Sequence, residues 1–196
     1  MDVSKKSSRK RGYRKCCKYY QNISNKPLYF INVPVTVAKF YETVEQVQMK
    51  YPRHRIVNII DHTRLIKTDN ESKEEEKLRR LMEIANEVKL KMNVTNILLS
   101  QLNRNIESNE RRAEYFKPLM SDLFGSDAVG QAADTVFMLY RPEQYNIHSV
   151  EEYGKTIPAK DKIFNNIVKN RDGNLGLLIY NHNLKHNQIT EYNGIN

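Results

Sequence analysis

Apolar residues along the chain alternate between short continuous runs and longer stretches in which they recur every three or four positions. The short runs predict strands and cover residues 27–31, 55–60, 94–99 and 135–140. The run at 55–60 is mostly apolar, which predicts a strand buried on both faces. Helical spacing covers residues 36–50, with Thr36 as N-cap, and residues 72–92, where Ser72 and Glu75 form a capping-box pattern.

The remaining stretches predict loops and a closing hairpin. Residues 103–117 are polar and charged, which predicts a mobile loop, and residues 141–161 predict a second polar loop. Ser121 or Asp122 is expected to open a short helix. The runs at 163–169 and 175–180 predict an antiparallel pair that turns around Asp172-Gly173. Strands that alternate with helices and end in a hairpin predict a three-layer α/β domain with a mostly parallel sheet.

Charge is concentrated at the N-terminus. Residues 1–18 contain eight Lys and Arg residues and one acid, a net charge of +7 out of +9 for all 196 residues. One interpretation is a basic arm that contacts nucleic-acid phosphates. The alternatives are a solubilising or disordered tail, or a stretch cut out of its usual surroundings.

The composition excludes several classes of protein. No apolar run approaches eighteen residues, so we expect no membrane span, and no apolar stretch follows the basic start as a secretory signal would require. Cys16 and Cys17 are adjacent and have no His/Cys cluster around them, which indicates neither a disulfide framework nor a zinc site. These features favour a reducing, cytoplasmic setting.

Candidate chemistry lies just beyond the carboxyl ends of the predicted strands, where α/β sheets bind their ligands. Asp61 ends the second strand, a position from which a carboxylate holds Mg²⁺ through water; many strands simply end in Asp. Gln101 follows the third strand and could contact a terminal phosphate or its attacking water, or only cap the strand end.

Two further segments carry candidate binding groups. The turn around Gly125 and Ser126 next to a helix start offers backbone N–H groups to phosphate, or is an ordinary helix-capping turn. Lys169 and Arg171, two apart at the end of the fifth strand, present two cations side by side. This pair suits charge developing on a transferring phosphoryl group, or it is an exposed basic hairpin.

In order, these elements resemble the replicative hexameric DNA helicases of the DnaB type, and in particular their phage-borne versions. The resemblance runs from about Pro27 to Tyr192, and its Ser-Gln-Leu-Asn-Arg and Ser-Asp-Leu elements are fairly specific. It rests on Ile56-Val57-Asn58-Ile59-Ile60-Asp61, Ser100-Gln101-Leu102-Asn103-Arg104, Ser121-Asp122-Leu123, Gln131-Ala132-Ala133-Asp134 and Lys169-Asn170-Arg171-Asp172-Gly173.

The resemblance implies a RecA-like motor that uses ATP and Mg²⁺. It assigns Asp61 as the Walker B aspartate, Gln101 as the γ-phosphate sensor, and Lys169 and Arg171 as the pair that reaches a neighbouring subunit's ATP. It also implies a loop that holds single-stranded DNA in the pore of a hexameric ring; the residues that match it or lie near it are Arg104, Gly125, Ser126 and Asp127.

The chain departs from the family in two places. Its pore loop reads Phe124-Gly125-Ser126-Asp127 where the family has Arg-Glu-Ser-Gly, so a charged DNA contact is absent or moved. No G-x-x-x-x-G-K-[ST] loop occurs among these residues, and the catalytic glutamate that should follow it is missing too. We therefore expect residues 1–26 to form a basic arm and residues 27–196 a partial motor domain without its first strand and phosphate loop.

This organisation predicts part of a ring helicase that is inactive alone and assembles as a homo-oligomer or with an upstream fragment that carries the phosphate loop. The alternative is a non-enzymatic single-stranded-DNA-binding or regulatory protein on the same scaffold. A related recombinase or clock-type ATPase is a third possibility, against which the Lys169/Arg171 spacing and the Ser-Gln-Leu-Asn-Arg element argue. Loss of the first strand and helix predicts an unpaired apolar edge, and hence an aggregation-prone or partner-dependent chain.

Overall fold

The computed structural model describes residues 26–33, 35–63, 67 and 73–194. The chain divides into two compact units, 1–33 and 34–196. In the first unit, the described residues 26–33 form neither helix nor strand, so the strand predicted at 27–31 is wrong. An apolar run becomes a strand only where a neighbouring strand takes up its N–H and C=O groups, and local sequence does not specify that neighbour.

The second unit contains three α-helices and eight strands among its described residues. The helices are α1 (Val37–Lys50), α2 (Glu74–Lys91) and α3 (Ser126–Ala132). The strands are β1 (Ile56–Asp61), β2 (Val94–Leu99), β3 (Thr135–Tyr140), β4 (Ser149–Glu152), β5 (Lys155–Pro158), β6 (Lys162–Asn170), β7 (Gly176–Asn183) and β8 (Gln188–Glu191). Five short 3-10 helices lie at Arg104–Glu107, Asn109–Glu114, Met120–Asp122, Pro142–Tyr145 and Leu184–His186.

Local sequence explains where the two long helices begin and end. The Thr36 hydroxyl accepts a hydrogen bond from the Lys39 N–H at 3.1 Å, which confirms the predicted N-cap of α1. Three glutamates occupy the first turn of α2, and Lys89 and Lys91 occupy its last turn, so the charges match the helix dipole at both ends. The predicted capping residue Ser72 lies outside the described residues.

Among the described residues, fewer strand pairs are parallel than expected. β1 and β2 pair in parallel, with α2 as the connection between them. β3, β6, β7 and β8 form an antiparallel sheet in that order, and β4 and β5 form a separate antiparallel hairpin. The predicted pair at 163–169 and 175–180 is confirmed as β6 and β7.

Two predicted loops contain regular structure. Residues 103–117 include two 3-10 helices, the first of which buries Ile106. Residues 141–161 contain the β4–β5 hairpin, whose inward side chains Val150 and Ile157 are buried against Phe164 and Ile179. The tight turn uses Tyr153 and Gly154, both with positive φ. Few residues of this hairpin are apolar, so the sequence pattern predicted a polar loop.

Three clusters of buried residues form the core in the part of the chain that the structure describes. The first lies between α1, α2 and one face of β1 and β2, and includes Val44, Leu81 and Val88. The second joins β3, β6 and β7 to the β4–β5 hairpin. The third contains Leu123, Val136 and Met138. Val129 of α3 packs against both the first and the third cluster, so the covered faces of β1, β2 and β3 turn toward one helical layer.

Candidate nucleotide and DNA sites

Asp61 and Gln101 lie at the same edge of the β1–β2 pair. The two strands run parallel with Asp61 opposite Leu99, and Gln101 follows two residues later. Both side chains are exposed. The register therefore places a carboxylate and an amide at or just beyond the carboxyl ends of two adjacent parallel strands, where a ligand of an α/β sheet binds.

The groups around Asp61 suit a hydrated Mg²⁺ better than a fully protein-bound metal. No group of three His, Cys, Asp or Glu residues that could hold a metal occurs among the described residues. Mg²⁺ usually keeps several waters and binds through one or two carboxylates together with substrate phosphates, which a single exposed Asp61 allows. Next to it, the buried Nδ1 atom of His62 has no hydrogen-bond partner among the described residues.

The segment after β2 is joined to the segment before α3 by backbone hydrogen bonds. Phe124 N donates to Gln101 O at 3.4 Å, and Asn103 N donates to Asp122 O at 2.7 Å. Leu102 and Leu123 form an antiparallel bridge between these two bonds. The Ser-Gln-Leu-Asn-Arg and Ser-Asp-Leu elements thus form one short ladder, which joins Gln101 to the residue that precedes Gly125.

Arg111 and Asp122 hold this ladder from the side. Their side chains are largely buried and form an ion pair at 3.0 Å. Asp122 also accepts the Leu119 N–H at 2.7 Å, and Arg111 donates to Lys117 O at 2.6 Å. The sequence did not indicate a structural role for Arg111. Its partner lies 11 residues away in the chain, beyond a segment that resembles a polar loop, so local pattern does not reveal the pair.

The turn before α3 places the candidate DNA residues. Gly125 is the N-cap of α3 with φ +63°, so the helix opens there and not at Ser121 or Asp122 as predicted. A Cβ atom on Gly125 would overlap the end of the buried Leu78 side chain, so a larger residue there would also displace a core side chain of α2. Ser126 begins α3, and Arg104 and Asp127 are exposed. The glycine therefore has a structural reason that is independent of any ligand.

Lys169 and Arg171 lie at the other edge of the fold. Lys169 pairs with Val136 near the start of β3, and Arg171 N donates to Asp134 O at 2.9 Å. Asp134 also binds Lys89 in the last turn of α2, close to the start of β2. β2 begins five residues after Lys89 and ends two residues before Gln101, so the length of a six-residue strand, about 20 Å, lies between Lys89 and Gln101.

Both cations have partners within the chain. The Lys169 ammonium donates to Gly130 O at 2.5 Å, and the Arg171 guanidinium pairs with Asp134 at 2.8 Å. A register shift next to Lys169 marks a β-bulge, a feature that redirects side chains locally. Lys169 is thus held by α3, and Arg171 by the segment that links α3 to β3.

The sequence did not indicate the contacts of Asp134, which directly precedes β3. Its carboxylate accepts hydrogen bonds from Lys89 and Arg171, both at 2.8 Å. The hydrogen bond from Lys89, together with the positive charges of Lys89, Arg171 and Lys169, lowers the pKa of the Asp134 carboxyl. Its position just before an apolar strand was visible in the sequence, but its partners lie 37 and 45 residues away.

Comparisons with known proteins give consistent matches. A family model described as the DnaB-like helicase C-terminal domain matches residues 2–191. A probable replicative DNA helicase of Trieres chinensis is 26% identical over 187 residues, covering 93% of this chain and 39% of that protein. The replicative DNA helicase DnaB of Geobacillus stearothermophilus is 33% identical over 121 residues, covering 60% of this chain and 24% of that protein.

Two solved structures share the fold. One is an ATPase domain that superposes with a TM-score of 0.79 at 21% identity, covering 98% of this chain and 66% of that domain. The other is a DnaB-like replicative helicase, studied for its interactions with primase, which superposes with a TM-score of 0.76 at 22% identity, covering 92% of this chain and 42% of the other. These superpositions confirm the RecA-like α/β fold class.

The matched region is a part of longer proteins. The chain spans about two fifths or less of the curated relatives it matches. No helix among the described residues is long and apolar enough to cross a membrane.

Proposed function

Because this chain belongs to the family of DnaB-like helicase C-terminal domains, we propose that it forms part of a motor that couples ATP hydrolysis to translocation on single-stranded DNA and to duplex unwinding during replication in the cytoplasm. One observation carries the proposal: the candidate groups are divided between two edges. Asp61 and Gln101 lie at or just beyond the carboxyl ends of β1 and β2, whereas Lys169 and Arg171 lie beside the start of β3. Two half-sites at opposite edges suit a hexameric ring in which each ATP lies between neighbouring subunits.

Each half-site has a distinct role in this proposal. Bound ATP and Mg²⁺ supply the phosphoryl group and its charge neutralisation. Asp61 would hold the metal ion through water, and Gln101 would orient the water that attacks the terminal phosphate. Lys169 and Arg171 leave Gly130 and Asp134 and stabilise the charge that develops on the neighbouring subunit's ATP.

The short ladder between the Gln101 segment and the Asp122 segment supports a coupling to DNA. Gln101 responds to the terminal phosphate, and its backbone carbonyl accepts the N–H of Phe124. Phe124 directly precedes Gly125, which with Ser126 and Asp127 forms the proposed DNA loop, and Arg104 lies at the other end of the ladder. Hydrolysis at one edge thereby changes the grip on single-stranded DNA.

We expect these 196 residues alone not to turn over ATP. Backbone N–H groups of a glycine-rich loop supply much of the phosphate affinity in such motors, and the sequence contains no such loop. A radiolabelled-ATP assay should give no turnover above background for the purified chain. Turnover at an ordinary enzymatic rate, about 1 per second or more, would show that the chain has a phosphate site of its own.

A mixing experiment tests the division into two half-sites. The chain is assembled with the polypeptide encoded directly upstream of residue 1, and Asp61→Asn and Arg171→Ala are prepared separately. Each variant alone should lack ATPase activity. Equal mixing should restore about a quarter of it, because an intact first half-site meets an intact second half-site at about one interface in four. If both variants assemble normally and mixing restores no ATPase activity, then the two half-sites do not act together across a subunit interface.

The basic N-terminus favours a second candidate function, a non-enzymatic single-stranded-DNA-binding protein. Eight cations among residues 1–18 would release counterions on binding, so affinity would fall steeply with salt. Fluorescence anisotropy with a labelled oligo-dT distinguishes the two functions. Strong, salt-dependent binding by the chain alone supports the second function, whereas binding only together with the upstream polypeptide and ATP supports the motor.

A further inference from the structure

Two consecutive bulky residues have left-handed backbone. Tyr115 (φ 56°) and Phe116 (φ 54°) directly follow the 3-10 helix Asn109–Glu114. In this region the Cβ atom of an L-residue comes too close to the following carbonyl oxygen, so glycine is usual there and other residues occur singly. Such backbone persists only where the surrounding structure holds it, and it is typical of switch segments. We call residues 111–117 the strap.

The base of the strap is closed on itself and fixed to the short ladder. The Arg111 guanidinium donates to Lys117 O at 2.6 Å and pairs with the Asp122 carboxylate at 3.0 Å. Phe116 N also donates to Arg111 O at 3.0 Å. The two ends of the strap are therefore tied to each other and to the ladder. Its tip, formed by Tyr115 and Phe116, is the part whose position depends on other elements.

Two aromatic residues hold the tip of the strap. The Tyr140 hydroxyl, at the end of β3, donates to Tyr115 O. Burial raises the pKa of the Tyr140 phenol, so the hydroxyl keeps its proton and donates this bond. The Phe116 ring stacks on the Tyr145 ring, with 4.8 Å between the ring centroids and 18° between the ring planes. The strained backbone of the tip is therefore held by β3 and by the 3-10 helix Pro142–Tyr145.

A third contact joins the strap to the β4–β5 hairpin. The Lys117 ammonium pairs with the largely buried carboxylate of Glu152 in β4. Among the described residues, no backbone-to-backbone hydrogen bond joins the strap to β3, β4 or β5. Docking therefore depends on three contacts that side chains make, and the tip can leave the hairpin without breaking any strand pair.

We propose that the strap is a two-position device, which in its docked position stores backbone strain against the contacts of Tyr140, Tyr145 and Glu152. In its undocked position the tip relaxes to ordinary backbone, while Arg111 keeps the base on the ladder. Because strain favours release and the three contacts oppose it, a ligand that prefers one position shifts the populations of both. Release carries the exposed Arg112 away from the hairpin. Docking and undocking do not depend on the proposed function, because every contact lies within this chain.

Backbone amide exchange in the full 196-residue chain measures the opening of the strap. The amides of Tyr115, Phe116 and Lys117 report it, because each donates to a carbonyl within the strap at 3.0 to 3.1 Å. They should be protected at least about tenfold less than the amides of β3, and low urea should barely change their exchange, because a small opening exposes little surface. Exchange with the same urea dependence as β3 would mean that the strap opens only when the domain unfolds, and would overturn the proposal.

Variants of the docking contacts should speed this exchange. Tyr140→Phe removes only the hydroxyl, and Glu152→Gln removes only the charge, so each should raise the exchange rate of the strap amides at least about threefold. Glu151→Gln is the matched control, because the neighbouring Glu151 bonds to Thr156 within the hairpin, and it should leave the strap amides unchanged. Unchanged strap exchange in Tyr140→Phe, with the amides of β7 still protected, would overturn the proposal.

A variant that relieves the strain should act in the opposite direction. Tyr115 is 53% exposed, and asparagine tolerates left-handed backbone, so Tyr115→Asn should slow exchange of the other strap amides at least about threefold. Tyr153→Asn makes the same change in the β4–β5 turn, at φ 55° and 64% exposure, and should leave the strap amides unchanged. Faster or unchanged strap exchange in Tyr115→Asn, or equal slowing in Tyr153→Asn, would show that the tip stores no strain and would overturn the proposal.

Discussion

The two faces of the β1–β2 pair carry similar residues and have different surroundings. Ile56 and Ile60 pack against the core under α1 and α2, while Val57 and Ile59 on the same strand are exposed. Both faces of β1 carry β-branched residues, so residue type alone does not decide which face is covered. What decides it is the presence of a helix whose apolar stripe matches the strand spacing, and the described residues supply that helix on one side.

The largest difference between the two faces should appear in stability. Leu81, 1% exposed, is enclosed on the covered side, and Leu81→Ala should lower the free energy of unfolding by about 2–5 kcal/mol. Ile59→Ala, on the exposed face of β1, should change it by no more than about 0.5 kcal/mol. Urea denaturation followed by circular dichroism measures both. A similar loss for the two variants would mean that this exposed face is covered in solution.

A glycine under the covered face should give the next largest effect. Gly125 has φ +63° and approaches Leu78, so Gly125→Ala adds backbone strain and a steric contact and should cost about 1–3 kcal/mol. Gly154 has φ +71°, and no other side chain or backbone lies within 4 Å of the position that a Cβ atom would take. Gly154→Ala should therefore cost only the backbone strain, about 1 kcal/mol.

The comparison of these two glycines by urea denaturation isolates the packing contribution. If both alanine variants lose the same stability, then Leu78 moves aside at no cost, and the turn before α3 is less tightly packed than its contacts indicate. A larger loss for Gly125→Ala would show that the covered layer extends to the start of α3.

The sequence predicted elements that depend on local rules. The Thr36 cap needs only a hydroxyl three residues before a free N–H, and the β6–β7 hairpin needs only a turn between two apolar runs. The positions of Asp61 and Gln101 at one edge also followed from the sequence, because parallel strands bring their carboxyl ends together.

Features that depend on distant partners were not predictable. Residues 27–31 are mostly apolar, as a buried strand is, but they form no strand. Val57 is a residue type that is usually buried, but here it is exposed. The ion pairs of Asp134 and of Arg111 join segments that the chain order keeps apart. In each case the missing information is which surface comes to lie beside the residue. The sequence pattern of a single element does not contain it.

The smallest expected effect concerns Asp134, whose surroundings differ from those of Asp61. Asp61 is exposed at its strand end, whereas Asp134 is neutralised by Lys89 and Arg171. Asp134→Asn should lower the free energy of unfolding by about 0.2–1 kcal/mol at about pH 7, because the pairs are partly exposed and screened by solvent.

The pH dependence of that loss has a definite sign. The pKa of Asp134 is lowered on folding from its ordinary value of 3.8, first by the hydrogen bond from Lys89. Its stabilisation is therefore fully present above about pH 4 and disappears as the pH falls through the lower folded value. Urea denaturation of wild type and Asp134→Asn between about pH 2 and about pH 7 should show the two curves converging at the acid end. Asp172→Asn, which removes a charge in the neighbouring turn but none of the Asp134 contacts, is the control for the loss of a negative charge in this region. A constant difference for Asp134→Asn across the range would mean that its loss comes from altered packing, and that the carboxylate does not hold Arg171 through its charge.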